Sequence, residues 1–201
     1  MKTTALTAMM MMATGAAAYA GHVKSPKQVV VVCTPEVSDS DFETGKVKAA
    51  LMFSSIGVTL DWRSAHNCPA GGIQVSLSTN TPVSLKPRAL AYALPYEGTH
   101  IVIFQDRVSR SGAPSLPALF GHVLAHEITH ILEGVSRHSE TGVMKAFWGP
   151  FDYSRMAVAP LVFAPEDVQL IHQGLEGREK SLAANSKMNQ DRNTEAAVSA
   201  K

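Results

Sequence analysis

The chain has 201 residues, of which 45% are hydrophobic and 17% are charged, and its formal net charge is +1. This length and composition can bury one sizeable core, so we predict a single globular domain. The balanced charge argues against a nucleic-acid partner and against binding to an anionic membrane surface.

The N-terminal segment, residues 1–20, has the features of a signal peptide. It carries one early lysine, an apolar run and a terminal Ala-Tyr-Ala of the kind that signal peptidase cleaves. We expect cleavage after Ala20 and export to the periplasm or the cell exterior, with no membrane anchor left on the mature chain. A retained anchor is the alternative, but the apolar run is short and is interrupted by Thr7, Thr14 and Gly15.

Export affects how the two cysteines, Cys33 and Cys68, are interpreted. In an oxidising compartment, two lone cysteines favour a disulfide with each other. Shared ligation of zinc is the alternative, and it is weaker because neither cysteine belongs to a Cys-x-x-Cys pair. We therefore predict a disulfide, which requires a Cα–Cα distance of about 4.4–6.8 Å.

After a polar leader at residues 21–27, the pattern predicts strands and helices in a mixed order. Runs rich in β-branched residues predict strands, and polar caps followed by apolar residues at helical spacing predict helices. The predicted strands are Gln28–Cys33, Val58–Arg63, Ile73–Ser78, a short piece Leu90–Leu94, and His100–Gln105. The predicted helices begin near Asp39, Leu119 and Pro165 and end near Ser55, Leu132 and Gly177. We expect an irregular segment over 145–162 and a disordered polar tail over 178–201.

The central predicted helix contains the motif HEITH, from His126 to His130. Histidines four residues apart lie on one face of a helix, about 6 Å apart along its axis, so both imidazoles can reach one ion. Glu127 lies beside that line, where a carboxylate can hold a metal-activated water and accept its proton. The apolar residues of the helix share the opposite face, so we expect the histidine face to line a cleft.

Several residues around HEITH extend this pattern. His122 lies one turn earlier; it could share a metal with His126, but we interpret it as a partly exposed residue at the rim of the cleft. Downstream, Gly134 supplies a helix stop and His138 follows the turn. The sequence Thr-Gly-Val-Met then places a tight turn before Met144, which we expect to be buried.

This segment resembles the metzincin metalloproteases, whose signature is H-E-x-x-H-x-x-G-x-x-H followed by a methionine-containing turn. The resemblance implies one catalytic zinc ion, Glu127 as general base, Met144 as the methionine of the Met-turn, and three ligands: His126, His130 and His138. The glycine comes one residue late and the third histidine two residues late relative to the signature. Ser139 is similar to the serine that follows the third histidine in the matrixin branch.

The order of predicted elements resembles the metzincin catalytic domain, which we place at residues 21–177. The resemblance implies an α+β fold: a twisted mixed sheet of four to five strands with an active-site helix, a Met-turn and a C-terminal helix. It also implies an edge strand within Arg88–Leu94 that pairs with a peptide or protein substrate. A strand or loop with no such role is the alternative for that segment.

The predicted function is therefore an exported zinc-dependent endopeptidase. Glu127 would take the proton of the attacking water and pass it to the leaving amine. In one alternative, a gluzincin-like peptidase, Glu140 or Asp152 would replace His138 as third ligand. The other alternative is a non-catalytic exported metal-binding module, although such a site is normally closed by four ligands and needs no base. Tyr153 could stabilise an oxyanion, as a tyrosine after the Met-turn does in some metzincins.

Overall fold

The computed structural model describes residues 28–199, so the predicted signal peptide and leader lie outside the described residues. The strands of this range are β1 (Gln28–Thr34), β2 (Val58–Ser64), β3 (Ile73–Ser78), β4 (Ala91–Ala93) and β5 (His100–Phe104). The helices are α1 (Ser40–Ser54), α2 (Gln105–Ser109), α3 (Leu116–Glu133), α4 (Pro150–Val158) and α5 (Pro165–Ser199).

The five strands form one mixed sheet in the order β2-β1-β3-β5-β4. Four of them are parallel, because β1 pairs with β2 and β3 and β3 pairs with β5 in that sense, whereas β4 runs antiparallel to β5. The inner strands bury consecutive or alternate apolar residues such as Val30, Val32 and Ile101. The short strand β4 is left at an edge. The predicted α+β fold with a mixed sheet is confirmed.

Helices α1 and α3 pack against each other through glycines. Asp39 caps α1 by accepting the backbone N–H groups of Asp41 and Phe42 at 3.0 and 3.2 Å. A Cβ atom on Gly45 would lie 2.6 Å from the Cβ of Phe120, and one on Gly121 would lie 3.0 Å from the carbonyl oxygen of Gly45. The absence of side chains at these positions lets the two backbones approach closely, and this contact sets the position of α3.

Helix α4 lies in the segment that the sequence predicted to be irregular. Pro150 occupies its first turn, where a missing N–H costs nothing, and the Asp152 carboxylate accepts the N–H of Gly149 at 2.9 Å. Only one of its residues, Met156, is buried, so its sequence lacks the broad apolar face by which helices are recognised. The short helix α2, directly after β5, was also not predicted.

The last helix, α5, begins at Pro165 as expected but continues to Ser199, far beyond the predicted end near Gly177. The segment after residue 177, predicted to be a disordered tail, is therefore helical up to that point. Arg178 contributes by donating hydrogen bonds to the carbonyls of Gly98 and Gly71, both at 2.8 Å. The later sequence is rich in Ala and also contains Glu, Lys and Arg, which are good helix formers even without an apolar stripe.

Cys33, at the end of β1, and Cys68 form a disulfide with a Cα–Cα distance of 5.7 Å. The predicted pairing is confirmed, and neither cysteine is free to ligate zinc. The bond links β1, an inner strand of the sheet, to the loop after β2. Within residues 28–199, no helix combines the length and the apolar character that crossing a bilayer requires.

Candidate metal centre

Three histidines converge at the C-terminal half of α3. His126 and His130 are one turn apart on the helix, and their Nε2 atoms lie 3.1 Å from each other. Gly134 then ends the helix in the left-handed conformation, with φ of 68°, and the chain turns back to bring in His138. One nitrogen from each ring lies within 4.8 Å of the others. The longer spacing to His138 is absorbed by the helix, which extends to Glu133, and by the loop that follows.

The hydrogen bonds of the two helix histidines test whether a cation fits between them. Nδ1 of His126 donates to the carbonyl of Val143 at 2.9 Å, and Nδ1 of His130 donates to the carbonyl of Val135 at 3.1 Å. Each neutral ring therefore presents an unprotonated Nε2 to the other. Two such lone pairs repel unless a cation lies between them. The donor set thus fits zinc, whose nitrogen ligands lie at about 2.0–2.1 Å.

All three histidines are held in the neutral form that binds metals. Burial lowers the pKa of His126 to about 3, with the neighbouring His130 adding to the effect, and burial lowers the pKa of His130 to about 4. The pKa of His138 is also lowered, first by burial and then by the positive charges of Lys86 and Arg137. No proton therefore needs to be displaced from these rings at neutral pH.

Glu127 lies next to the histidines and lines the same cleft. Its side chain is buried, and this burial raises the pKa of the carboxyl group to about 8. A cation held by the histidines favours the ionised carboxylate and so opposes the effect of burial. The arrangement pairs a metal-binding cluster with a single carboxyl group that can accept or return a proton.

A buried carboxylate that the sequence analysis missed fixes the loop around His138. Asp167 is fully buried, and its Oδ1 accepts hydrogen bonds from Arg137 at 2.7 Å and from the Ser139 hydroxyl at 2.5 Å. Its Oδ2 accepts the backbone N–H of Ala164 at 3.1 Å. Because Arg137 and Ser139 flank His138, this network holds the third histidine in place. In the sequence, Asp167 is only an acidic residue near the start of the helix predicted from Pro165, with nothing to mark its partners.

The other residues singled out in the sequence have different positions. Asp152 binds Lys145 at 2.6 Å and the N–H of Gly149. Within residues 28–199, the group of side chains close enough to share an ion consists of the three histidines. Neither Asp152 nor Glu140 belongs to this group. Tyr153 is half-buried and lines the cleft, and burial raises the pKa of its hydroxyl.

His122 is not at the rim of the cleft, and the prediction that placed it there is wrong. Its side chain is 1% exposed; Nδ1 donates to the carbonyl of Ala118 at 2.7 Å, and Nε2 accepts the N–H of Leu161 at 2.9 Å. The face of α3 that carries the histidines is open only near its C-terminal end. Towards the N-terminal end it is covered by the segment between α4 and α5, which includes Leu161.

The cleft has a volume of about 680 Å³ and two walls. One wall is the segment that leads into and includes the edge strand β4, and the other is the segment from Lys145 to Tyr153. The floor between them consists of His126, Glu127, His130 and His138. The edge strand expected within Arg88–Leu94 is present as β4, and it borders the same cleft as the histidines.

No family model matches this sequence, and no curated protein matches it. Among solved structures, the chain is similar to the crystal structure of archaemetzincin from Methanopyrus kandleri at 1.5 Å. The TM-score is 0.53 at 12% sequence identity, and the similarity covers 74% of this chain and 96% of that chain. The fold is metzincin-like. At this identity, the likeness establishes the fold and not the activity.

The turn that ends at Met144, which the resemblance predicts to be a Met-turn, contacts the histidine cluster through the backbone of Val143. Val143 and Met144 are fully buried, and the carbonyl of Met144 accepts the N–H of Ser139 at 2.8 Å. The N–H of Val143 donates to the carbonyl of Val162 at 3.1 Å. The carbonyl of Val143 accepts the hydrogen bond from Nδ1 of His126 and so orients that ring. Gly142 has φ of 78°, and a Cβ atom there would collide with the carbonyl oxygen of Val162. The turn is thus tied to α3, to the His138 loop and to the segment before α5.

We expect Met144 to act through packing and not through its sulfur. The volume-conserving change Met144→Leu should cost less than about 1.5 kcal/mol of unfolding free energy and leave zinc affinity unchanged. Met144→Ala, which leaves a cavity beneath the histidines, should cost more and weaken zinc binding. Zinc titration of both variants checks this. If the leucine variant loses zinc as completely as the alanine variant does, the thioether has a chemical role.

Proposed function

We propose that this protein is an exported zinc-dependent endopeptidase. One observation carries the proposal: three neutral histidine nitrogens converge beside a single buried glutamate, on the floor of a cleft bordered by an unpaired strand edge. Catalytic zinc sites use three protein ligands and keep a further position for water or substrate. A site closed by four ligands would instead indicate a structural role, and within residues 28–199 no fourth ligand joins this cluster.

Each residue of the site has a proposed role. His126, His130 and His138 would hold the ion, which when bound supplies a Lewis acid that activates water and polarises a peptide carbonyl. Glu127 would accept the proton of the attacking water and return it to the leaving amine. Tyr153, on the wall formed by residues 145–153, would donate a hydrogen bond to the carbonyl oxygen of the substrate, which becomes negatively charged during the reaction. Met144 would support the histidines from below.

The edge strand supports a peptide as substrate. β4 pairs with β5 through one edge only, so the N–H and C=O groups of its other edge are not used by the sheet. An extended peptide can form hydrogen bonds with these groups as an added strand that runs along the cleft past the histidines. Within the metzincins, the pair His138 and Ser139 favours the matrixin branch. The disulfide between Cys33 and Cys68 supports export to an oxidising compartment, secreted or periplasmic.

The alternative with a carboxylate as third ligand has less support. Asp152 is engaged by Lys145 and by the cap of α4, and Glu140 lies outside the histidine cluster. A module that binds metal without turnover would have no use for a glutamate buried beside the ion. These contacts favour the peptidase with three histidine ligands.

The proposal is tested with the purified mature chain, loaded with one equivalent of zinc and incubated with an unfolded protein. We expect new peptide N-termini to accumulate, to stop after treatment with a chelator and to reappear when zinc is restored. Mass spectrometry of the products should show cleavage within the substrate chain. A fully zinc-loaded, folded protein that leaves a panel of unfolded substrates intact would contradict the proposal.

A further inference from the structure

The charges around the cleft are unevenly distributed. The charged groups that line it, apart from the histidines, are Lys86, Arg88, Lys145 and Glu127. Glu127 is buried at the floor, and Lys145 is neutralised by its 2.6 Å contact with Asp152. Two positive charges, on Lys86 and Arg88, are therefore left at the mouth.

Within residues 28–199, neither of these two cations has a protein counter-ion. No salt bridge joins Lys86 or Arg88 to any side chain that the structure describes. The guanidinium group of Arg88 lies over the ring of Phe147, on the opposite wall, at 4.6 Å from its centroid. An aromatic ring orients a guanidinium group but does not cancel its charge. Exposed basic residues are common, but these two sit on one short segment that borders the histidines.

The backbone that carries the two cations is held in a fixed position. The guanidinium group of Arg107, on α2, donates to the carbonyl of Lys86 at 2.5 Å and to the carbonyl of Ala89 at 2.9 Å. The segment then enters β4, where Ala91 to Ala93 pair with β5. The backbone that carries the two positive charges is thus fixed next to the edge that a peptide would use.

We propose that the cleft selects peptides with a carboxylate close to the scissile bond, and that Lys86 and Arg88 are the residues that determine this specificity. This inference rests on the proposed peptidase function and names its substrate class. The carboxylate can be an Asp or Glu side chain or the C-terminal group of the peptide, since both present the same charge. Zinc at the histidines would add positive charge to the cleft and strengthen the same preference.

The expected size of the preference follows from the exposure of the two residues. Lys86 and Arg88 are both exposed. An ion pair between exposed groups contributes about 0.2–1 kcal/mol, so two such contacts give a preference of roughly 2- to 30-fold. The preference should weaken as salt is added, because surface charges are screened over about 10 Å at 0.1 M ionic strength. A peptide with lysine at the same position should bind more weakly than one with glutamine.

The test uses binding, so that it does not depend on turnover. The first series consists of short fluorescent peptides that end in a hydroxamate, which anchors them to the zinc of the loaded protein. Each position near this anchor carries Glu, Gln or Lys in turn. A second series has the hydroxamate at its N-terminal end and either a free carboxylate or an amide at its C-terminus. Anisotropy titrations compare the wild type with Lys86→Gln/Arg88→Gln and with the charge-reversed Lys86→Glu/Arg88→Glu. The control is Lys180→Gln/Lys187→Gln, which removes two exposed lysines of α5 outside the cleft lining.

We expect tighter binding of the carboxylate peptides by the wild type and by the α5 control. The preference should be much smaller in the glutamine double variant, which keeps only the contribution of zinc, and charge reversal should produce a preference for lysine. The first series reports side-chain carboxylates and the second reports the C-terminus. Equal binding of Glu, Gln and Lys peptides by the wild type, or a preference that both cleft variants leave undiminished, overturns the inference. Hydrolysis of unfolded protein, measured separately, judges the peptidase function. A protein that binds selectively without cleaving would refute only that function.

Discussion

Replacing Glu127 with glutamine is expected to slow peptide hydrolysis by about 10²–10⁴-fold while zinc stays bound. The amide has nearly the same shape as the carboxyl group but cannot accept a proton from the attacking water. The histidine cluster does not include Glu127, so the ligands are unchanged. Initial rates on an unfolded protein, together with the zinc content of the same samples, measure both effects.

The matched control for this substitution is Glu140→Gln. Glu140 lies two residues after His138 and is exposed, and it is one of the two carboxylates that the alternative with an acidic ligand could use. We expect Glu140→Gln to keep both zinc and activity. Loss of zinc in the Glu140 variant would favour that alternative. Full activity in the Glu127 variant would remove the proposed base from the mechanism.

The second large effect is expected for Asp167→Ala. The change removes the acceptor shared by Arg137, Ser139 and the N–H of Ala164, and it leaves a partly buried guanidinium without its closest partner. Removing one member of a buried pair typically costs about 3–5 kcal/mol of unfolding free energy. Zinc affinity should fall as well, because the loop that carries His138 loses its anchor. Urea unfolding and zinc titration test the two consequences separately.

Glu166→Gln provides the comparison for Asp167→Ala. Glu166 is the neighbouring acid and also contacts Arg137, at 3.1 Å, but its side chain is 71% exposed. An exposed ion pair of this kind contributes less than about 1 kcal/mol, so the unfolding midpoint and zinc affinity should change little. If the two variants behave alike, burial of Asp167 has no special role and the His138 loop is held by other contacts.

The parts of the site that could be predicted from the sequence are those encoded locally. The spacing of His126 and His130 and the position of Glu127 follow from helix geometry alone. The strand patterns likewise reflect burial on a pleated sheet, which apolar periodicity reveals. The placement of His138 and Met144 came from resemblance to a known signature, and the structure brings His138 to the cluster and buries Met144.

The features that were missed depend on contacts between distant segments. His122 is buried because the chain around Leu161 covers it, and no local pattern distinguishes it from the two histidines that follow. In the sequence, Asp167 is an ordinary acidic residue at the start of a helix. Its partners near His138 become evident only in the folded chain. A start signal for α4 is present in the sequence, because Pro150 follows Gly149 and Asp152 lies in the first turn. The helix was nevertheless missed, because it has too few apolar residues to form an apolar face.

The glycine contact between α1 and α3 has a consequence for how this protein tolerates sequence change. His126 is five residues along the same rigid helix from Gly121, whose missing side chain allows the close approach to Gly45. A single methyl group at either glycine would shift the whole helix, and the histidines would move with it. Natural or laboratory variation should therefore be as restricted at these two positions, which never meet a substrate, as in the cleft. Even alanine, the mildest change elsewhere on a helix, would be poorly tolerated here, because its Cβ atom already meets the facing helix.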